Sequence, residues 1–125
     1  MTETATYQSV PELGPYAIWR GAQARAVHGD RLTMAVVDLE PDLEVPEHHH
    51  DNEQLGLVLK GHITMVIGGS SRRLGVGDTY LIPSDVPHSA STGADGATVI
   101  DVFAPGRADW QQVPRLDPQP GAWPD

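Results

Sequence analysis

No stretch of this chain holds apolar residues at helical spacing long enough to form an amphipathic helix of useful length. Its apolar residues come in short runs rich in Val, Ile and Leu, each soon cut by glycine or proline. Runs of this kind, bounded by turn residues, read as strands. Thirteen Gly and eleven Pro in 125 residues supply turns at a spacing that suits an all-β sandwich or barrel.

The expected strands follow from that punctuation. Ile18–Ala22 is a first short strand, and Leu32–Leu39 a second, apolar on both faces as inside a sandwich. Gln54–Leu59 and His62–Ile67 flank Lys60-Gly61, a tight-hairpin signal. Arg73–Val76, Thr79–Ile82, His88–Ser91 and Ala97–Phe103 are further strands, divided by Gly77-Asp78, by Pro83–Pro87 and by Gly93–Gly96. Residues 1–15 read as an arm or edge strand. The segment from Pro105 onward reads as an extended Pro-rich tail, with one helical turn near Ala108–Gln111. The absence of a repeat and the length predict one domain over 1–125, with a barrel core at about 17–104.

Charge narrows the partners. Eight Lys/Arg against seventeen Asp/Glu give a net charge of −9, which disfavours nucleic acid and anionic membranes. There is no long apolar run and no charged-then-apolar N-terminus, so a cytoplasmic location is expected. With no cysteine, the chain has neither disulfides nor thiolate chemistry, and any metal must rest on His, carboxylate or amide ligands.

One such ligand set stands out. In an extended segment His48 and His50 point to one side and His49 to the other. Gln54 follows across a short bend, and His88 comes directly after the rigid turn Pro83–Pro87. Three imidazoles and an amide oxygen suit one divalent transition metal: Mn, Fe, Co, Ni or Zn. Glu47 and Glu53 compete as ligands. Gln54 is preferred because it shares a strand face with Gly56, which would leave room beside an ion, whereas Glu53 shares one with Leu55 and Leu57. His28 and His62 lack such partners and read as surface or turn residues. An HxH can also be a solvated loop, but here it leads into an apolar strand.

These residues resemble the two sequence motifs of the cupin superfamily. The first reads Asp42-(five)-His48-x-His50-(three)-Gln54-(six)-Gly61, where many cupins have Gly first and Glu in place of Gln54. The second reads Gly77-(five)-Pro83-x-Asp85-(two)-His88-(three)-Thr92, where Gly and Asn are usual at positions 85 and 92. Fifteen residues separate Gly61 from Gly77. The resemblance implies a double-stranded β-helix, the jelly-roll barrel of two antiparallel sheets. Gln in place of Glu leaves the ion with more net positive charge. That makes it a stronger Lewis acid toward a carbonyl or enolate oxygen.

A narrower resemblance, to the small pectin-degradation cupins, covers the His-x-His-x-x-x-Gln set and the stretch Asp101–Trp110. Those proteins linearise unsaturated uronates, and the resemblance implies that Asp101, Phe103 and Arg107 face the substrate. The residues fit that role on their own chemistry. Val99, Asp101 and Phe103 alternate onto one strand face; an inward Asp101 beside a metal is a candidate general acid or base. Arg107 can hold a carboxylate by a bidentate contact. The competing arrangement turns Asp101 outward into a surface ion pair with Arg107. Tyr80, Met34 and Met65 are candidate pocket residues, although core packing would explain them as well.

The reading that results is a metal-dependent enzyme for isomerisation, tautomerisation or lyase chemistry on a small carbonyl or enol compound, with an unsaturated uronate as the concrete example. A dioxygenase or polyketide-tailoring enzyme is a second reading, and a non-catalytic small-molecule-binding module a third. A homodimer is expected, since an open sandwich has edges to protect.

Overall fold

A computed structural model describes residues 4–124. Eight strands run in chain order: β1 Tyr16–Trp19, β2 Ala22–His28, β3 Thr33–Leu39, β4 Glu44–His48, β5 Glu53–Ile67, β6 Ser70–Leu74, β7 Thr79–Ile82 and β8 His88–Ala104. All pairings are antiparallel. Single 3-10 turns at Val10–Glu12 and Trp110–Gln112 flank the barrel, the second close to the helical turn expected in the tail.

Two long strands hold the molecule together. β5 pairs with β8 from Glu53↔Ala104 to Ile67↔His88, with register shifts between Val58 and Lys60 and between Gly61 and Ile63. The first half of β5 also pairs with β7, and the late half of β8 with β3, which continues to β2 and β1. The second half of β5 pairs with β6, and the early half of β8 with β4. The result is two antiparallel sheets that share β5 and β8 and face one another, as a jelly roll requires.

The hairpin expected at Lys60-Gly61 is therefore a bulge inside one fifteen-residue strand, and Gly93–Gly96 is likewise spanned by one seventeen-residue strand. Gly61 (φ 71°) and Gly96 (φ 66°) occupy the left-handed region, where a side chain is strained. A Cβ on Gly61 would also collide with the Gly96 carbonyl. The sheets thus bend where two backbones cross without side chains. The first strand expected at Ile18–Ala22 is instead the end of β1, a turn at Arg20-Gly21 and the start of β2.

The core lies between the sheets, built from Ala24, Ala26, Ala35, Val37, Val58, Ile63, Met65, Ile82 and Val99, all buried. The tail is not free. Arg115 donates to the Gly14 and Ala26 carbonyls, and Leu116 N–H bonds to Pro15. Farther on, Arg25 is buried with Asp38 at 3.0 Å and donates to the Gln119 carbonyl, while Ala122 N–H reaches Asp38 at 3.1 Å. Lys60 Nζ also donates to the Ala122 carbonyl. The tail is a strap across the outer face of β2 and β3. No described helix is long and apolar enough to cross a membrane.

Candidate metal centre and its cavity

His48 and His88 are direct neighbours across β4 and β8, and His50 lies just beyond the end of β4. Their rings converge, with centroids 4.3 Å apart for His48–His88 and 4.9 Å for His50–His88. One ligand nitrogen from each lies within 4.8 Å of the other two. An ion with metal–nitrogen bonds of about 2.1 Å would draw such atoms closer.

The hydrogen bonds set the tautomers. Nδ1 of His48 bonds to the Pro46 carbonyl at 2.8 Å, Nδ1 of His50 to the Asn52 carbonyl at 3.0 Å, and Nδ1 of His88 to the Val86 carbonyl at 2.9 Å. A carbonyl only accepts, so each Nδ1 carries the proton and each Nε2 keeps a free lone pair. Burial lowers the pKa of His50 and of His88, and the Arg107 charge adds to this, which favours the neutral, ligating form.

Gln54 completes the set. Buried at the start of β5, it places Oε1 3.2 Å from His50 Nε2. With Nδ1 protonated, these are two acceptors facing one another with no proton between them, an arrangement that a shared cation resolves. The donor set therefore fits one divalent ion. Glu53 is exposed on the opposite strand face and Glu47 is exposed on β4, so neither competes.

Asp101 points inward, opposite Gly56, and is 6% exposed. It accepts a 2.6 Å hydrogen bond from the Tyr80 hydroxyl. Burial raises its pKa, while Tyr80, Gln54 and Arg107 oppose the rise. The outward alternative, a surface pair with Arg107, does not occur. Arg107 instead grips Asp109 through Nε and Nη2 at 3.0 and 2.8 Å and lies over the Phe103 and Trp110 rings.

Gly56 does not serve the purpose expected of it. It pairs with Tyr80 on one side and Asp101 on the other, and the Tyr80 ring lies across it. The space freed by the missing side chain is filled by the phenol that reaches Asp101, not by an ion.

The three imidazoles, Gln54, Asp101 and Arg107 line one cavity of about 80 Å³, which Phe103, Tyr80 and Met65 also line. Met34 does not. It lies on the outer face of β3, in a row across the sheet with Val27, Val102, Leu55 and Leu81. His28 is half-buried rather than a surface residue, bonded to Tyr16 and Thr33. His62 is exposed as expected.

Two residues escaped the sequence reading. Asn52 is buried, and its amide donates to the Pro105 and Gly106 carbonyls at 2.6 and 3.2 Å while its own carbonyl holds His50. It ties the imidazoles to the loop that carries Arg107. Thr33 holds the other side of that loop through the Arg107 backbone N–H at 2.8 Å. The sequence showed only an Asn two residues from a ligand; its burial, which demands hydrogen-bond partners, is set by the fold.

Comparison with known proteins shows the family. The chain is 33% identical over 82 residues to the pectin degradation protein KdgF of Dickeya dadantii (strain 3937), covering 65% of this chain and 74% of that protein. It is 30% identical over 82 residues to an H2HPP isomerase of Bacillus subtilis, covering 64% of this chain but only 34% of that protein. The solved structure of KdgF from Halomonas sp. superposes with a TM-score of 0.78 at 27% identity, covering 85% of this chain and 98% of that one. The cupin domain model matches residues 35–103, which hold all four candidate ligands, and the chain belongs to the cupin family.

Proposed function

We propose that this chain is a metal-dependent cupin enzyme that isomerises or tautomerises a small carbonyl or enol compound, or cleaves it by lyase chemistry. The observation that carries the reading is Asp101, a buried carboxyl in the same cavity as three imidazole lone pairs. A divalent ion held by His48, His50, Gln54 and His88 would supply Lewis acidity toward a substrate oxygen.

The protein's own groups do the rest. Asp101 takes a proton from the carbon beside the carbonyl and returns it at the far end of the enol, so the reaction is proton-neutral. Tyr80 holds that carboxyl in place by donating to it. Nη1 of Arg107 makes no hydrogen bond among the described residues and is free to orient a substrate carboxylate. Phe103 and Trp110 pack 5.1 Å apart beneath that guanidinium.

The similarity to KdgF makes an unsaturated uronate one substrate to test. Asp101→Ala is expected to lose turnover while keeping its metal; unchanged turnover would remove Asp101 from the mechanism. Oxygen uptake with Fe or Mn loaded, and none with Zn, would replace isomerisation by dioxygenase chemistry. The homodimer belongs to the same proposal. Its support is the outer row of Leu55 and Leu81, 51% and 52% exposed, and light scattering on the purified protein tests it.

A further inference from the structure

The body of the substrate can be read from the cavity wall, an inference that rests on the site reading above. Polar groups crowd one side of the cavity: the imidazoles, Gln54, the Tyr80–Asp101 pair and Arg107. The rest of the wall is mostly hydrocarbon, from Ile18, Ala22, Val37, Leu39, Val45 and Ala90, with the Trp19 and Trp110 indoles beside them. Ser89 is the one aliphatic hydroxyl among the lining residues. Ile18, Leu39, Val45 and Ala90 are only half-buried in this structure, so part of their apolar surface stays uncovered beside the cavity.

A sugar acid carries a hydroxyl on nearly every carbon, and a buried hydroxyl without a partner is costly. Beyond Ser89 and the two indoles, the wall offers none of those partners. A branched hydrocarbon would instead meet apolar surface throughout, in a pocket where a few polar groups fix the orientation. The metal ligands, Asp101 and Arg107 account for one carbonyl or enol and one carboxylate, which leaves only Ser89 and the Trp19 and Trp110 indoles, too few partners for a hydroxyl on every carbon. We infer that the substrate is a small carboxylic acid with a carbonyl or enol beside a compact apolar body, not a polyhydroxylated sugar acid.

Titration calorimetry of the Zn-loaded protein with two probes tests this: 4-methyl-2-oxopentanoate, apolar-bodied, and D-galacturonate, polyhydroxylated. The oxo acid is expected to bind at least about ten-fold more tightly. Val37→Thr, which places a hydroxyl in the wall at nearly constant volume, should shrink that preference several-fold. If Val37→Thr loses its melting transition, Ala90→Ser at a half-buried position makes the same test.

Equal binding, tighter uronate binding, or no binding of either probe overturns the inference. Uronate binding that depends on Zn would do so while leaving the metal-enzyme reading intact. Preference for the oxo acid that persists unchanged in stripped protein would support the apolar wall and overturn the metal reading instead.

Discussion

Gly56→Ala gives the sharpest test of how the cavity is built. In an ordinary strand position Ala is better than Gly by roughly 0.5–1 kcal/mol, because Gly loses more freedom on folding. Gly56 is not among the residues with positive φ, so its backbone would accept Ala. The structure nevertheless requires the opposite sign. An added Cβ would sit within 2.5 Å of Cζ, Cε1 and Cε2 of Tyr80, a rigid ring that is 6% exposed and bonded to Asp101. Overpacking of this kind costs about 1–3 kcal/mol. Pulling the phenol from a buried carboxyl adds about 1.5–3 kcal/mol. Allowing for overlap, a loss of about 3 kcal/mol is expected, with a urea midpoint lower by roughly 1–2 M. In a Tyr80→Leu background the ring is gone, and the same substitution should cost less than about 1 kcal/mol. The double-mutant cycle should therefore return a coupling of about 2 kcal/mol. A coupling below about 0.5 kcal/mol, or a stabilising Gly56→Ala, would refute the placement of Tyr80.

Other expectations follow from single contacts. Asn52→Leu releases the Pro105–Gly106 carbonyls but leaves its own carbonyl on His50, so metal content should persist while binding of carboxylate ligands weakens about ten-fold; equal loss of both would deny the link to Arg107. Arg25→Ala leaves Asp38 without its buried partner and frees the strap at Gln119, which should cost about 3–5 kcal/mol in urea unfolding and expose the tail to proteolysis; a cost under about 1 kcal/mol would contradict the strap. His28 is held below the ordinary imidazole pKa by burial and by Arg115. Below about pH 6.5 the unfolded chain gains a proton there that the folded chain resists, so the stability linked to His28 falls as pH falls. Between pH 7.5 and 5.5 the melting temperature of His28→Gln should thus drop less than that of the parent, and parallel curves would exclude His28.

Much of the site was legible because its signals are local. Alternation put His48 and His50 on one face, and Gln54 on the face opposite Glu53, from sequence neighbours alone. The same alternation turned Val99, Asp101 and Phe103 inward, where all three are buried. Strand continuity was not legible. A glycine at positive φ serves equally for a hairpin and for a bulge, and only the distant pairing of Gly61 with Ala97 decides between them. β2 went largely unread because Ala22, Ala24 and Ala26 carry little strand preference, yet small residues are what pack there. Met34 was misplaced for a related reason: β3 is apolar on both faces, and the sequence alone does not show that its outer row continues into Val102, Leu55 and Leu81.

The central claim is that His48, His50, Gln54 and His88 hold one ion beside an acid–base group that does not itself bind it. Elemental analysis of the purified chain and two variants tests it most directly. The parent should carry one divalent metal per chain, His50→Ala should lose it, and Asp101→Ala should retain it. An ion that survives in His50→Ala, or no ion in the parent even after loading, would contradict the claim.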